Sequence, residues 1–146
     1  MAETLRARAL KLLARREHTR RELERKLAAG GEGRAEIETV LDELERRGWL
    51  SEARVTEQLI HARQRRFGAR RIERELRDRG VSGEAVSAAL PALREGELER
   101  ARAVWARKFK RQPAGAAERA RQVRFLQGRG FDLDVIFKVI REGGED

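Results

Sequence analysis

The sequence predicts an all-α fold built as three tandem three-helix, helix-turn-helix-like repeats in an elongated, curved arrangement. Three observations carry that expectation. First, Leu27, Leu76 and Leu126 are each followed four residues later by Gly31, Gly80 and Gly130, and ten residues later by Ile37, Val86 and Ile136. The copies are offset by 49 and 50 residues, a period that marks a repeat architecture. Second, apolar residues recur at helical spacing almost throughout, with no alternating pattern and no Asn-Gly or Asp-Gly hairpin turn. Third, 40% of the 146 residues are charged and only two are proline, which suits solvated helices. Leu, Ile, Val and Phe total 34 residues, just above the level of disordered chains, so the core must be thin and distributed. Stacked repeats make long surfaces that fit long partners rather than enclosed pockets.

The elements follow in order. Leu5, Ala9, Leu12 and Leu13 form the first apolar stripe. Thr19-Arg20-Arg21-Glu22 reads as a capping box opening a second helix through Leu23 and Leu27, which Gly30-Gly31 end. Ile37, Val40, Leu41 and Leu44 form a third stripe closed by Gly48. Val55, Leu59 and Ile60 open the second copy; Ile72 and Leu76 lie on its middle helix, and Val86, Ala89, Leu90 and Leu93 on its third. Pro91 sits inside that third helix and is expected to kink or end it. Leu98, Ala101, Trp105 and Phe109 begin the third copy, Val123 and Leu126 continue it, and Val135, Ile136, Val139 and Ile140 complete it. The expected domains are residues 1–50, 51–96 and 97–146, with a fraying tail at Gly143–Asp146. Ser82 and Asp132 read as N-caps, with Val81/Val86 and Phe131/Ile136 as hydrophobic staples.

The net charge is +9, and 29 of the 34 basic residues are Arg. Arg presents a planar fork to phosphate or carboxylate, although an Arg-rich codon preference gives the same composition. Residues 6–26 hold nine bases against three acids, residues 63–79 eight against three, and residues 100–129 ten against one. Residues 34–45 reverse the sign, with one base and five acids. Each repeat therefore loads positive charge on its first two helices, and a basic ridge recurring with each copy is expected to meet an extended acidic surface or nucleic acid. Phosphate contact would bring weak, salt-sensitive DNA binding. Base reading is thinly supported, because the chain has no Asn and its five Gln are scattered.

Chemistry for catalysis is missing from the sequence. There is no Cys, and His18 and His61 have no neighbouring metal-ligand pattern. Ser51, Ser82 and Ser87 lack a nucleophile-elbow context, and the glycines form no phosphate loop. The expectation is a protein that is not an enzyme, with no catalytic residue, cofactor, metal or small-molecule substrate. No apolar run reads as a signal peptide or a membrane span, so no membrane partner is expected. His18 reads as structural or solvent-facing. Trp49, between Gly48 and Leu50, reads as packing between the first two repeats, the alternative being an exposed anchor for a partner.

The run Arg16 to Leu27, with its polar cap, Glu22-Leu23 and Lys26-Leu27, resembles the opening signature of RecX regulatory proteins. Leu41 through Gly48-Trp49-Leu50-Ser51-Glu52 is similar to that family's next element, Gly68-Ala69-Arg70-Arg71-Ile72 with Glu75-Leu76 and Gly80-Val81 to its central one, and Gly130-Phe131 with Ile136 to its last. Glu52 stands where the family usually has Asp, and Val55 where it usually has Phe. The resemblance implies a cytoplasmic regulator that binds the RecA recombinase filament on DNA and limits filament growth, ATP hydrolysis, strand exchange and co-protease activity in recombination, DNA repair and the SOS response. With RecA and the RecA–DNA filament as partners, the ridge residues expected to make the charged contacts are Arg20, Arg21, Arg25, Lys26, Arg65, Arg66, Arg70, Arg71 and Arg74. The rival class is a direct DNA-binding transcription or architectural factor of helix-turn-helix type.

Overall fold

A computed structural model of the protein describes residues 3–142. The expected fraying tail at Gly143–Asp146 lies outside the described residues. Among the described residues the chain forms nine α-helices and no strand. They are α1 (Leu5–Arg15), α2 (Arg20–Ala28), α3 (Arg34–Arg46), α4 (Glu52–Arg63), α5 (Ala69–Asp78), α6 (Gly83–Glu95), α7 (Glu97–Lys108), α8 (Ala116–Gly128) and α9 (Leu133–Glu142). Each successive trio packs on itself and encloses its own core. Leu23, Leu27, Ile37, Leu41 and Leu44 fill the first, Val55, Ile72, Leu76 and Val86 the second, and Trp105, Leu126, Phe131 and Ile136 the third. The thin core expected from composition is thus divided into three.

The leucine–glycine beat has a backbone cause. Gly80 and Gly130 adopt φ of +92° and +90°, a region that favours glycine. Gly80 N–H donates to the Arg77 carbonyl, and Val81 N–H donates to the Leu76 carbonyl at 3.0 Å. Gly130 and Phe131 repeat this toward Gln127 and Leu126. These paired bonds are Schellman closures, in which the buried leucine carbonyl takes the amide of the apolar residue after glycine. Val81 and Phe131 are buried there, so each turn ends a middle helix and aims the next one back onto the core. The capping box at Thr19 forms in full, with Thr19 accepting from Glu22 N–H and Glu22 accepting from Thr19 N–H. Ser82 accepts from Ala85 N–H as the N-cap of α6.

One expectation is narrowed and one changes. The helix α6 runs through Pro91 to Glu95 instead of ending there. Pro91 and Ser87, whose carbonyl the ring deprives of a donor, are both exposed, so water can satisfy that carbonyl while Leu93 beyond it stays buried. Trp49 is exposed instead of buried at the joint. Its ring is 40% exposed and lies between the guanidinium groups of Arg6 and Arg47, both in the first repeat, at 5.5 and 5.2 Å. Leu50 takes the buried place next to it.

The repeats are joined twice by related contacts. The start of each earlier middle helix meets the glycine turn of the next repeat. At the first joint Thr19 Oγ1 donates to the Arg79 carbonyl, and Gly80 lies against the Arg21 side chain. At the second, Gly68 N–H donates to the Arg129 carbonyl at 2.8 Å and Arg70 N–H to the Gly130 carbonyl at 3.1 Å. Thr19 and Gly68 both stand eight residues before the leucine of their beat.

Candidate functional site

The candidate site is a surface, and its chemistry is set by which cations the fold neutralises. Arg79, the C-cap of α5, reaches across the first joint to Glu22 at 3.1 Å and to the Glu17 carbonyl at 3.1 Å. Burial raises the Glu22 carboxyl, but bonds from Arg79, the Thr19 N–H and Arg16 outweigh it and bring the pKa down to about 2. At the second joint Arg70 pairs with Asp132, and the buried Glu97 carboxylate accepts from Ala69 N–H at 3.2 Å and from the Asp132 N–H. Desolvation pushes Glu97 above the usual carboxylate range. Glu97 opens α7, so one side chain ties α5 of the second repeat to α7 and α9 of the third.

The nine ridge residues do not form one continuous strip. Arg20 is held by Asp42 and Glu45 at 2.8 and 2.9 Å. With Arg21 it lines an open groove of about 700 Å³ at the first joint, shared with Glu24, Glu45 and Glu52. Arg70, Arg71 and Arg74 line the corresponding groove at the second joint, of about 830 Å³, together with Arg94 and Asp134. Arg71 also reaches Glu75 at 3.5 Å and lies over the Phe67 ring at 4.2 Å. Arg66 belongs to a third groove, described below. Lys26 Nζ sits 2.9 Å from His18 Nε2. Arg25, Arg65 and Arg74 are exposed, and among the described residues their side chains make no ion pair, hydrogen bond or ring contact. Of the nine, these three are the least engaged within the fold, whereas Arg20, Arg70 and Arg71 also help to hold it.

His18, expected to be structural or solvent-facing, is buried. Its Nδ1 lies 2.9 Å from the Arg16 carbonyl, so that nitrogen carries the proton and Nε2 accepts from Lys26. Burial, chiefly, lowers its pKa. Sequence reasoning passed over Arg94, Arg107 and Arg129 as single residues, although the ten-to-one basic run contained the last two. What the sequence lacked was the pairing partner of each Arg. Among the described residues no group of three or more His, Cys, Asp or Glu could hold a metal, and no helix is long and apolar enough to cross a membrane.

These features define an all-α protein of three tandem three-helix repeats with open, charged grooves at its joints. Family models for the first, second and third three-helix domains of RecX match residues 6–44, 51–90 and 95–140, in that order. "Regulatory protein RecX" of Leptothrix cholodnii is 53% identical over 94% of this chain and 88% of its own length. The protein of the same name from Chromobacterium violaceum is 44% identical over 99% and 93%. A crystal structure of RecX from Lactobacillus salivarius superposes with a TM-score of 0.83 at 19% identity, covering 94% of this chain and 93% of that one, which shows the shared fold. This chain belongs to the RecX family of regulatory proteins.

Proposed function

We propose that this chain binds the RecA recombinase filament in the cytoplasm and restrains it, lowering filament growth, ATP hydrolysis, strand exchange and co-protease activity. It acts by binding, without catalysis or a cofactor. The observation that supports this most is the ordered match of all three domains to a family whose members are named regulatory proteins. The repeat arrangement suits the task. Cations on successive repeats present separate weak contacts to a long, repetitive partner, and contacts on one chain combine through effective concentration.

The test uses the unpaired cations. Arg25→Glu, Arg65→Glu and Arg74→Glu are combined in one protein, because Arg70 pairs with Asp132 across the second joint and Arg71 packs against Gly130 there, so reversing either would also disturb that joint. With the helical spectrum unchanged, half-inhibition of RecA ATPase on single-stranded DNA should need about tenfold more of this variant, the loss expected for about 1.4 kcal/mol of binding. Unchanged inhibition removes these residues from the contact. Tight, sequence-dependent duplex binding at physiological salt without RecA would favour the direct DNA-binding reading instead.

A further inference from the structure

Among the described residues, a groove at the second joint differs from the grooves named above in the charge of its walls. It measures about 360 Å³ and is lined by Arg66, Val104, Arg107, Lys108, Phe125 and Arg129. Four of these six carry positive charge and none is acidic. The grooves lined by Arg20 and by Arg70 mix both signs.

The cations here are positioned without being neutralised. Arg129 lies over Phe67 at 5.3 Å and over Phe125 at 5.2 Å. Lys108 lies over Phe125 at 5.5 Å, and Arg66 over Phe67 at 5.5 Å. Phe125 is in turn braced edge-on by Phe109 at 5.4 Å. A ring face attracts a cation but accepts few of its N–H groups and cancels none of its charge. Arg107 donates through one Nη to the Arg65 carbonyl at 2.7 Å, another contact that fixes direction and leaves the charge intact. By contrast, Arg20, Arg70 and Arg79 are each spent on a carboxylate. A smaller basic groove continues from Lys108 past Lys110, Arg111 and Arg121. Its single acid, Glu118, accepts from the Ala114 N–H.

We propose that this groove is a phosphate-binding site that takes the backbone of single-stranded nucleic acid. Oriented N–H donors with uncancelled charge are what a phosphodiester requires. The two grooves meet at Lys108 and measure only about 360 and 250 Å³, which suits the backbone of a flexible single strand better than a rigid duplex. The ring faces already carry cations, so the site reads backbone and not base. The assignment rests on the weak, salt-sensitive DNA binding expected from the basic charge, not on the recombinase reading.

The test is anisotropy of fluorescein-labelled oligo(dT) with the full chain and no RecA. Arg66→Glu/Lys108→Glu is compared with Arg15→Glu/Arg46→Glu, which makes the same charge change at exposed, unpaired positions of the first repeat. The groove variant should bind about tenfold or more weaker, and its log K against log salt should flatten by about 1.4, the value for two lost phosphate contacts on a single strand. The control should lose less than about threefold, and Arg66→Lys/Lys108→Arg should bind nearly as the parent does, since phosphate contact needs only charge. Equal losses in the groove and control variants would overturn the site, because net charge alone would then account for binding. Duplex binding at least as tight as oligo(dT), or equal competition by polyglutamate, would also overturn it. Failure here leaves RecA inhibition to be judged by its own assay, and the reverse holds.

Discussion

Glu22→Gln removes the charge that binds the first two repeats while leaving a capping-box acceptor in place, since Gln serves at that position. The carboxylate accepts from Arg79 Nη2 at 3.1 Å, Arg79 Nε at 3.3 Å, Arg16 Nη2 at 3.4 Å and Thr19 N–H at 2.8 Å. Its pKa stands at about 2 against an ordinary 4.5. That gap corresponds to at most about 3.4 kcal/mol at ~1.36 kcal/mol per pH unit. The Glu22 and Arg79 side chains are 16% and 27% exposed, so screening reduces the contribution to about 2 kcal/mol. Because the folded pKa lies below the ordinary one, this stability is present above pH 4.5 and is lost as pH falls toward 2. Thermal melts followed by circular dichroism should place Glu22→Gln about 4–8 °C below the parent at pH 7. The difference should shrink by more than half between pH 5 and pH 3. A change under about 1 °C at pH 7, or a difference constant down to pH 3, would refute the role given to this carboxylate.

Three further outcomes follow from the joints. Gly130→Ala should destabilise by about 2–4 kcal/mol, from a left-handed backbone and overpacking together. A Cβ there meets Arg71 Cβ at 2.4 Å and Arg71 N at 2.6 Å, whereas at Gly31, with φ of +90°, it meets nothing within 4 Å. Gly31→Ala should therefore lose only about 1–2 kcal/mol in urea unfolding, and equal losses at the two sites would remove the close approach as a cause. Glu97→Ala strands two backbone amides and should lose about 2–4 kcal/mol, while Glu97→Gln keeps an acceptor and should lose less than about a third of that. Since burial raises the Glu97 pKa, its favourable contribution lies at low pH and fades as pH rises through the folded value, so in melts from pH 4 to 8 Glu97→Gln should compare better with the parent as pH rises. His18 behaves oppositely, its lowered pKa making stability fall as pH drops below 6.5. A His18 proton-coupled NMR signal titrating above pH 6.5 would contradict the neutral ring assigned here.

The sequence carried the local logic of this fold because that logic is local. Leu76, Gly80 and Val81 lie within one Schellman closure, and Thr19 and Glu22 within one capping box, so their spacing alone reveals them. Contacts across the joints are different. Glu22 and Arg79 are 57 residues apart, and nothing in a chain of 29 arginines marks which one turns inward. Trp49 shows the same limit, since adjacency to a joint in sequence said nothing about the two arginines that hold its ring at the surface. The charge census found the basic helices but treated equal charges as equivalent. Folding divides them into Arg20 and Arg70, spent on carboxylates, and Arg66, Lys108 and Arg129, held on rings with their charge intact.

The central claim is that this chain restrains RecA. The direct measurement is RecA ATPase on single-stranded DNA, titrated with the full chain at physiological salt. A filament regulator should suppress hydrolysis at ratios well below one molecule per RecA protomer, because each chain spans more than one contact along the filament. Hydrolysis unchanged across a wide range of ratios, with the helical fold intact, would contradict the claim.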